Sequence, residues 1–293
     1  MRRTQMLLAM VASAALFACG GSNVMAPGSP TDVSVARGAT AGTATVSFAA
    51  PASAGSSAIT GYTVTANPGG ITASGASSPI TLSGLAPMTA YTYSVVATSA
   101  AGSSPAATTG SLRFYSVVET FHEPMTQPND TIFTGTFTYD TTGKTVSNLA
   151  GSLTQAMTMM GPMTTVTLAH QLSSAPATLG GVDGLLVTTF ALPTTNTFDP
   201  SGFAPGGTQY YGLSTGAPNP SNGGTGNAYA MICVDTSDPT AALAQAQIDM
   251  LAYADCTAGG MMGTTCMTGT TTAGYGRIGT MDGVPVSQVI TEQ

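Results

Sequence analysis

Three groups of residues have types and spacings that could do chemistry. Gly212-Leu213-Ser214-Thr215-Gly216 fits G-x-S-x-G, the strand–turn–helix elbow that exposes a nucleophilic serine. Ala217-Pro218-Asn219-Pro220 follows it, which is no way to start a helix. Both histidines, His122 and His170, precede Ser214, whereas the hydrolase order puts the base last. Ser214 is therefore not read as a nucleophile. The second group is Glu119-Thr120-Phe121-His122-Glu123-Pro124-Met125. A histidine beside two carboxylates can serve as a base or a metal ligand. Pro124 and the strand-like run before it place these residues on a strand. There Glu119 and Glu123 share one face and His122 points away. The third group is methionine. Met157, Met159, Met160 and Met163 surround Gly161-Pro162, and Met261, Met262 and Met267 lie further on. Thioethers suit Cu(I), but Met also fills irregular gaps in cores. No Asp-rich loop has EF-hand spacing. Asp130, Asp199, Asp235 and Asp238 lie in turns, where Asx capping accounts for them. The expectation is no catalytic residue and no cofactor, with a copper site at the Met clusters as an alternative.

The elements that position these residues begin with an export signal. Arg2 and Arg3 precede an apolar run from Met6 to Ala18, too short to span a bilayer, which takes about 20 residues. A charged start, a short apolar run and a small residue before the cut make a secretory signal. Leu16-Phe17-Ala18-Cys19 resembles the lipobox of bacterial lipoproteins. The resemblance implies loss of residues 1–18, acylation of Cys19 (palmitate among the chains) and a membrane attachment through that lipid. Gly20 follows the cysteine, and the absence of Asp there implies the outer membrane of the cell envelope.

The chain has six Lys and Arg against 13 Asp and Glu. Removing the signal takes Arg2 and Arg3 with it and leaves Arg37, Arg113, Lys144 and Arg277. So few cations cannot neutralise many phosphates, which excludes a nucleic-acid partner. There is also no polybasic segment for anionic lipid. With Cys19 assigned to lipid, Cys233, Cys256 and Cys266 remain, an odd number. Cys256 and Cys266 flank a Gly-rich loop that can bend to disulfide geometry. Cys233 sits in an apolar strand-like run. The expected pair is Cys256 with Cys266, leaving Cys233 as a core thiol.

Residues 19–29 read as a Gly/Ser/Pro tether. From 30 to 112 the chain alternates apolar and polar residues over Thr31–Ala36, Thr43–Phe48, Ile59–Ala66, Pro79–Leu82 and Tyr91–Thr98, with turn-rich segments between them. Leu85-Ala86-Pro87-Met88-Thr89-Ala90-Tyr91 resembles the L-x-P-x-T-x-Y tyrosine corner of fibronectin type III domains. Tyr93, Val95 and Ala97 continue that family's next strand. Phe48 stands where a buried Trp is usual. The resemblance implies an immunoglobulin-like sandwich in which the Tyr91 hydroxyl bonds a nearby backbone group. The structural tyrosine corner is then Leu85, Pro87, Thr89 and Tyr91, and the module is a spacer or binding module.

Residues 113–293 read as a second β-rich domain. Strands are expected over Phe114–Phe121, Thr131–Tyr139, Thr145–Leu153, Thr164–Gln171, Gly184–Leu192, Asn227–Val234, Ala273–Gly279 and Val284–Thr291. Asp140-Thr141-Thr142-Gly143 is a hairpin turn. One helix is expected from Asp238-Pro239 to about Asp255, with Leu243, Ala246, Met250 and Ala254 as its apolar stripe. Thr134–Asp140 with Val146–Asn148 resembles segments of uncharacterised exported bacterial proteins, which implies no activity. The fold class is all-β: a fibronectin type III sandwich, then a second sandwich or roll with one helix. The functional expectation is a lipid-anchored envelope protein whose second domain meets a protein or glycan. Its rival is part of a secreted polysaccharide hydrolase, which needs two carboxylates across a cleft.

Overall fold

Period-two patterning dominates this chain, and the computed structural model is almost wholly strand. It describes residues 24–156, 163–193, 227–257, 261–262, 265–269 and 283–293. The first module holds β1 (Thr31–Arg37), β2 (Thr43–Ala49), β3 (Ile59–Asn67), β4 (Ile71–Gly75), β5 (Ile80–Ser83), β6 (Thr92–Ser99), β7 (Gly102–Ser103) and β8 (Ala107–Thr108). Strands β1-β2-β5 form one sheet. The other runs β4-β3-β6-β7, with β8 also on β6. Alternate residues face inward, so Val64, Ala66, Leu82, Tyr93 and Val95 are fully buried between the sheets. Phe48 is buried and packs on Tyr62 with ring centroids 4.8 Å apart. The Ala86 N–H donates to the Tyr91 hydroxyl at 2.9 Å, which ties the turn before the Tyr91 strand to that strand.

The segment before β1 does not hang free from Met25 onward. Met25 and Ser56 exchange hydrogen bonds at 2.8 Å, and the Gly28 N–H donates to the Ser53 carbonyl at 2.9 Å. Gly55 makes this possible: its φ is +74°, and a Cβ there would lie 2.2 Å from the Met25 carbonyl. The tether expected over 19–29 is thus, in its described part, laid along the first module.

The second module holds β9 (Leu112–His122), β10 (Thr131–Asp140), β11 (Thr145–Gln155), β12 (Thr164–Leu168), β13 (His170–Leu179), β14 (Val182–Phe190), β15 (Ala228–Asp235), α1 (Gln245–Ile248), β16 (Ala252–Asp255), β17 (Met261–Met262), β18 (Thr265–Gly269) and β19 (Val284–Glu292). One sheet runs β12-β11-β10-β9-β19 and the other β13-β14-β15-β16-β18-β17, with every strand pair antiparallel. Phe133, Phe137, Tyr139, Leu153, Phe190, Tyr229, Ile232 and Tyr253 fill the space between them. Gly180 and Gly181, with φ of +61° and +82°, turn β13 into β14, a backbone that favours glycine at both positions. Gln288 of β19 reaches across the core. It accepts from the Cys233 N–H at 2.9 Å and donates to the Cys233 carbonyl. The pairing of β16 with β15 stops at Met231, so the Gln288 amide stands in for the missing strand neighbour.

Two expectations are corrected. The helix from Asp238 to Asp255 is a single turn, Gln245–Ile248, and Ala252–Asp255 is a strand instead. Every residue from Leu251 to Cys256 is buried. A segment covered on both faces gains ladder partners as a central strand, and its Ala-rich run only imitates a helical stripe. The strand Thr164–Gln171 is two strands, β12 and β13, which lie in different sheets with Ala169 at the crossing. His170 therefore opens a strand rather than ending one. The run Ala273–Gly279 lies outside the described residues.

The two sandwiches are directly joined. Strand β9 serves both: Leu112 lies in the first core, and Tyr115, Val117 and Phe121 in the second. Across the seam, Thr138 Oγ1 and Asn148 Nδ2 both donate to the Val35 carbonyl, each at 2.9 Å. Asn148 has φ +58°, and the β10–β11 register shifts between Thr136 and Thr138. The bulge and the left-handed asparagine re-aim both donors toward β1.

Candidate functional site

The residues best placed for chemistry line the core side of β9. Inward alternation over Tyr115, Val117, Glu119, Phe121 and Glu123 carries both glutamates into the interior, as the shared-face reading requires. Both are 0% exposed. Neither carboxylate oxygen of Glu119 has a hydrogen-bond partner among the described residues. Its neighbours are Phe133 of β10 and Gln288 of β19, its partners in register. A carboxyl buried without donors is held neutral, so burial pushes Glu119 well above the ordinary carboxylate range.

Glu123 is buried differently. Tyr253 of β16 donates its hydroxyl to Glu123 Oε1, and Thr131 of β10 donates to that tyrosine at 3.1 Å. Glu123 Oε2 has no partner among the described residues. The carboxylate lies flat against Gly283, where a Cβ would come within 2.5 Å of it. Gly269 is equally close-packed, its notional Cβ 2.5 Å from the Tyr253 ring. Burial raises Glu123 to about 7, against the hydrogen bonds from Tyr253 and Thr131. Burial likewise raises Asp255, which accepts from Gln155 Nε2 at 2.9 Å and from the Thr257 N–H at 2.8 Å.

This arrangement is not a hydrolytic pair. Glu123 lies four residue steps along the chain from Glu119, about 13 Å at the usual rise, against the 5–9.5 Å that paired glycosidase carboxylates span. Both are also closed to solvent. Burial encloses all three acids, and hydrogen bonds hold Glu123 and Asp255 in the fold.

His122 points away from them, half-exposed at the end of β9, and pairs with Asp130 at 3.1 Å. Burial tends to raise the Asp130 carboxyl. Hydrogen bonds from Gln127, the Glu123 N–H and His122 outweigh it and hold the group below its usual range. Asp235 accepts from the Ser237 and Asp238 N–H groups, and Asp238 from that of Thr240, as turn caps. Asp140 caps its hairpin through Thr142 and Gly143.

Cys233 is a free, buried cysteine, its thiol pushed by burial up to about 12. The side chain of Cys266 lies outside the described residues, as do those of Met261 and Met262. Cys19, Ser214, Asp199, Met157, Met159 and Met160 lie outside them altogether. Met163 is exposed, whereas Met267 is 1% exposed and belongs to the second core. Among the described residues no three His, Cys, Asp or Glu side chains converge as a metal would require. No described helix is long and apolar enough to cross a membrane.

The first module has the tyrosine corner, the two-sheet sandwich and the apolar Phe48 site together. Its sequence matches the fibronectin type III family over residues 28–111. Residues 28–111 form a fibronectin type III domain. Leu85, Tyr91 and Phe48 are thus parts of that domain's core, while Pro87 is exposed and Thr89 half-buried at its edge. Among solved structures, three such domains (FN1–FN3) of chicken CNTN1 share 7% identity with the chain, covering 91% of it and 99% of theirs at a TM-score of 0.23. No curated protein matches.

Proposed function

We propose that this chain is a lipid-anchored cell-envelope protein without catalytic activity. Cys19 carries the lipid, probed below, and residues 30–112 and 113–293 act as one stiff arm that presents the second sandwich to a partner. The seam supports the stiff-arm part of this reading. Two side-chain donors on separate strands converge on the Val35 carbonyl, and β9 runs unbroken from one core into the other. A loose spacer has no need of such bonds. The spacer role thus becomes one of fixed orientation, with the fibronectin type III domain setting distance and angle. Cys256 pairs with Cys266 in this reading, closing the loop that follows β16. The outer membrane is the proposed address.

Membrane fractionation of cells producing the full chain tests the anchor. The wild type is expected in the detergent-extractable membrane fraction, with a mature N-terminus at an acylated Cys19 by mass spectrometry. Cys19→Ser is expected to leave that fraction. Equal partitioning of the two, or a mature chain starting elsewhere, contradicts the proposal.

A further inference from the structure

The seam leaves a groove of about 280 Å³, walled by Arg37 of β1, Thr136 and Thr138 of β10, and Asn148 and Ala150 of β11. Arg37 also borders a second cavity, of about 60 Å³, with Thr43, Thr89, Tyr91 and Phe114. It is the one cation between residues 24 and 112, in a chain with six cations and 13 acids. The ion pairs among the described residues are Arg113–Glu292 and His122–Asp130, so Arg37 has none there. Among the described residues, no carboxylate side chain lines either cavity. A guanidinium stays charged and offers five donors in a planar fork suited to a carboxylate. Arg37 lines this concave seam with no acidic side chain among the residues that wall it, so it is set to receive an anion from outside.

The rest of the groove narrows the class of anion. A peptide strand would need an open row of backbone donors and acceptors. Here β10 and β11 are each paired on both sides, and the Val35 carbonyl on β1 is already taken by Thr138 and Asn148. Small-molecule sites start near 300 Å³, so the groove suits a compact ligand. The Thr136 hydroxyl and the Asn148 Oδ1, whose amide nitrogen is spent on Val35, are the polar atoms left to bind it.

We propose that this groove binds a sugar carboxylate, a uronic acid unit of an acidic glycan. Arg37 pairs the carboxylate, and Thr136 and Asn148 take the ring hydroxyls. The inference rests on the docked seam and not on the lipid anchor, so each can fail alone.

Calorimetric titration of the full chain with trigalacturonate tests it, with neutral galactose, sodium acetate and hexaglutamate as comparisons. Trigalacturonate is expected to bind, and Arg37→Gln to weaken it by about ten- to a hundredfold, the worth of one charged hydrogen-bonded contact. Thr136→Val is expected to weaken it by less, and neither variant to lower the melting temperature. Galactose and acetate are each expected to bind more weakly than trigalacturonate. The proposal is overturned by no heat with trigalacturonate, or by equal binding to Arg37→Gln. Acetate equalling trigalacturonate, or hexaglutamate exceeding it, overturns it too.

Discussion

The two sandwiches bury opposite chemistry. In the first, the buried polar residues are Ser99 and Ser104, and both are hydrogen-bonded. In the second, Glu119, Glu123, Asp235, Asp255, Gln155, Gln247 and Gln288 are all buried. Gln288 does what a strand does elsewhere, bonding the Cys233 backbone, and Gln155 donates to the Asp255 carboxyl. The glutamates of β9 do something else. Burial favours the neutral form of both acids, so the second module couples its stability to proton binding, and no carboxyl is buried in the first.

The largest effect separates the cores. Phe133 is fully buried in the second. Phe133→Ala is expected to cost about 3–5 kcal/mol, measured by denaturant unfolding with hydrogen exchange read module by module. Exchange in the first module should respond far less. Equal loss in both modules would show one cooperative unit and break the contrast.

The next effect is pH. A carboxyl whose folded pKa is raised binds its proton more tightly when folded. Its stability is fully present below the unfolded value and is lost as pH rises through the folded one. For Glu123, raised from 4.5 to about 7, that loss is about 3 kcal/mol across this window. Glu119 and Asp255 act in the same direction. Asp130 and Asp235, both lowered, act only in stronger acid. The second module is therefore expected to melt higher at pH 5 than at pH 8, while the first changes little. A second module that is steadier at pH 8 contradicts the burial of these acids.

Smaller still, Glu119→Leu removes two buried oxygens that have no partner among the described residues. It is expected to stabilise the second module by about 1–3 kcal/mol at neutral pH and to flatten its pH response. Tyr91→Phe deletes the hydroxyl that Ala86 donates to, and is expected to cost the first module about 1 kcal/mol with no pH dependence.

How far the sequence carried differs between the same two regions. In the first, alternation and the Leu85–Tyr91 motif located the main strands, because each strand has one buried face and one wet one. It missed β4, β7 and β8, where short pairings follow their neighbours rather than a pattern of their own. In the second, alternation placed β9, β10, β11 and β19 and put Glu119 and Glu123 on one face. It did not say that this face was the core, since the usual rule puts carboxylates outside. Leu251–Cys256 has no alternation because both faces are covered, so period alone could not tell strand from helix. The seam was not legible. Thr138 and Asn148 lie 103 and 113 residues from Val35, and no local pattern joins them.

Residual dipolar couplings of the full chain decide whether the two modules hold one orientation. A single alignment tensor is predicted to fit both modules. Asn148→Ala with Thr138→Val, which together remove both donors to Val35, is predicted to split it into two. Two different tensors in the wild type would contradict the account.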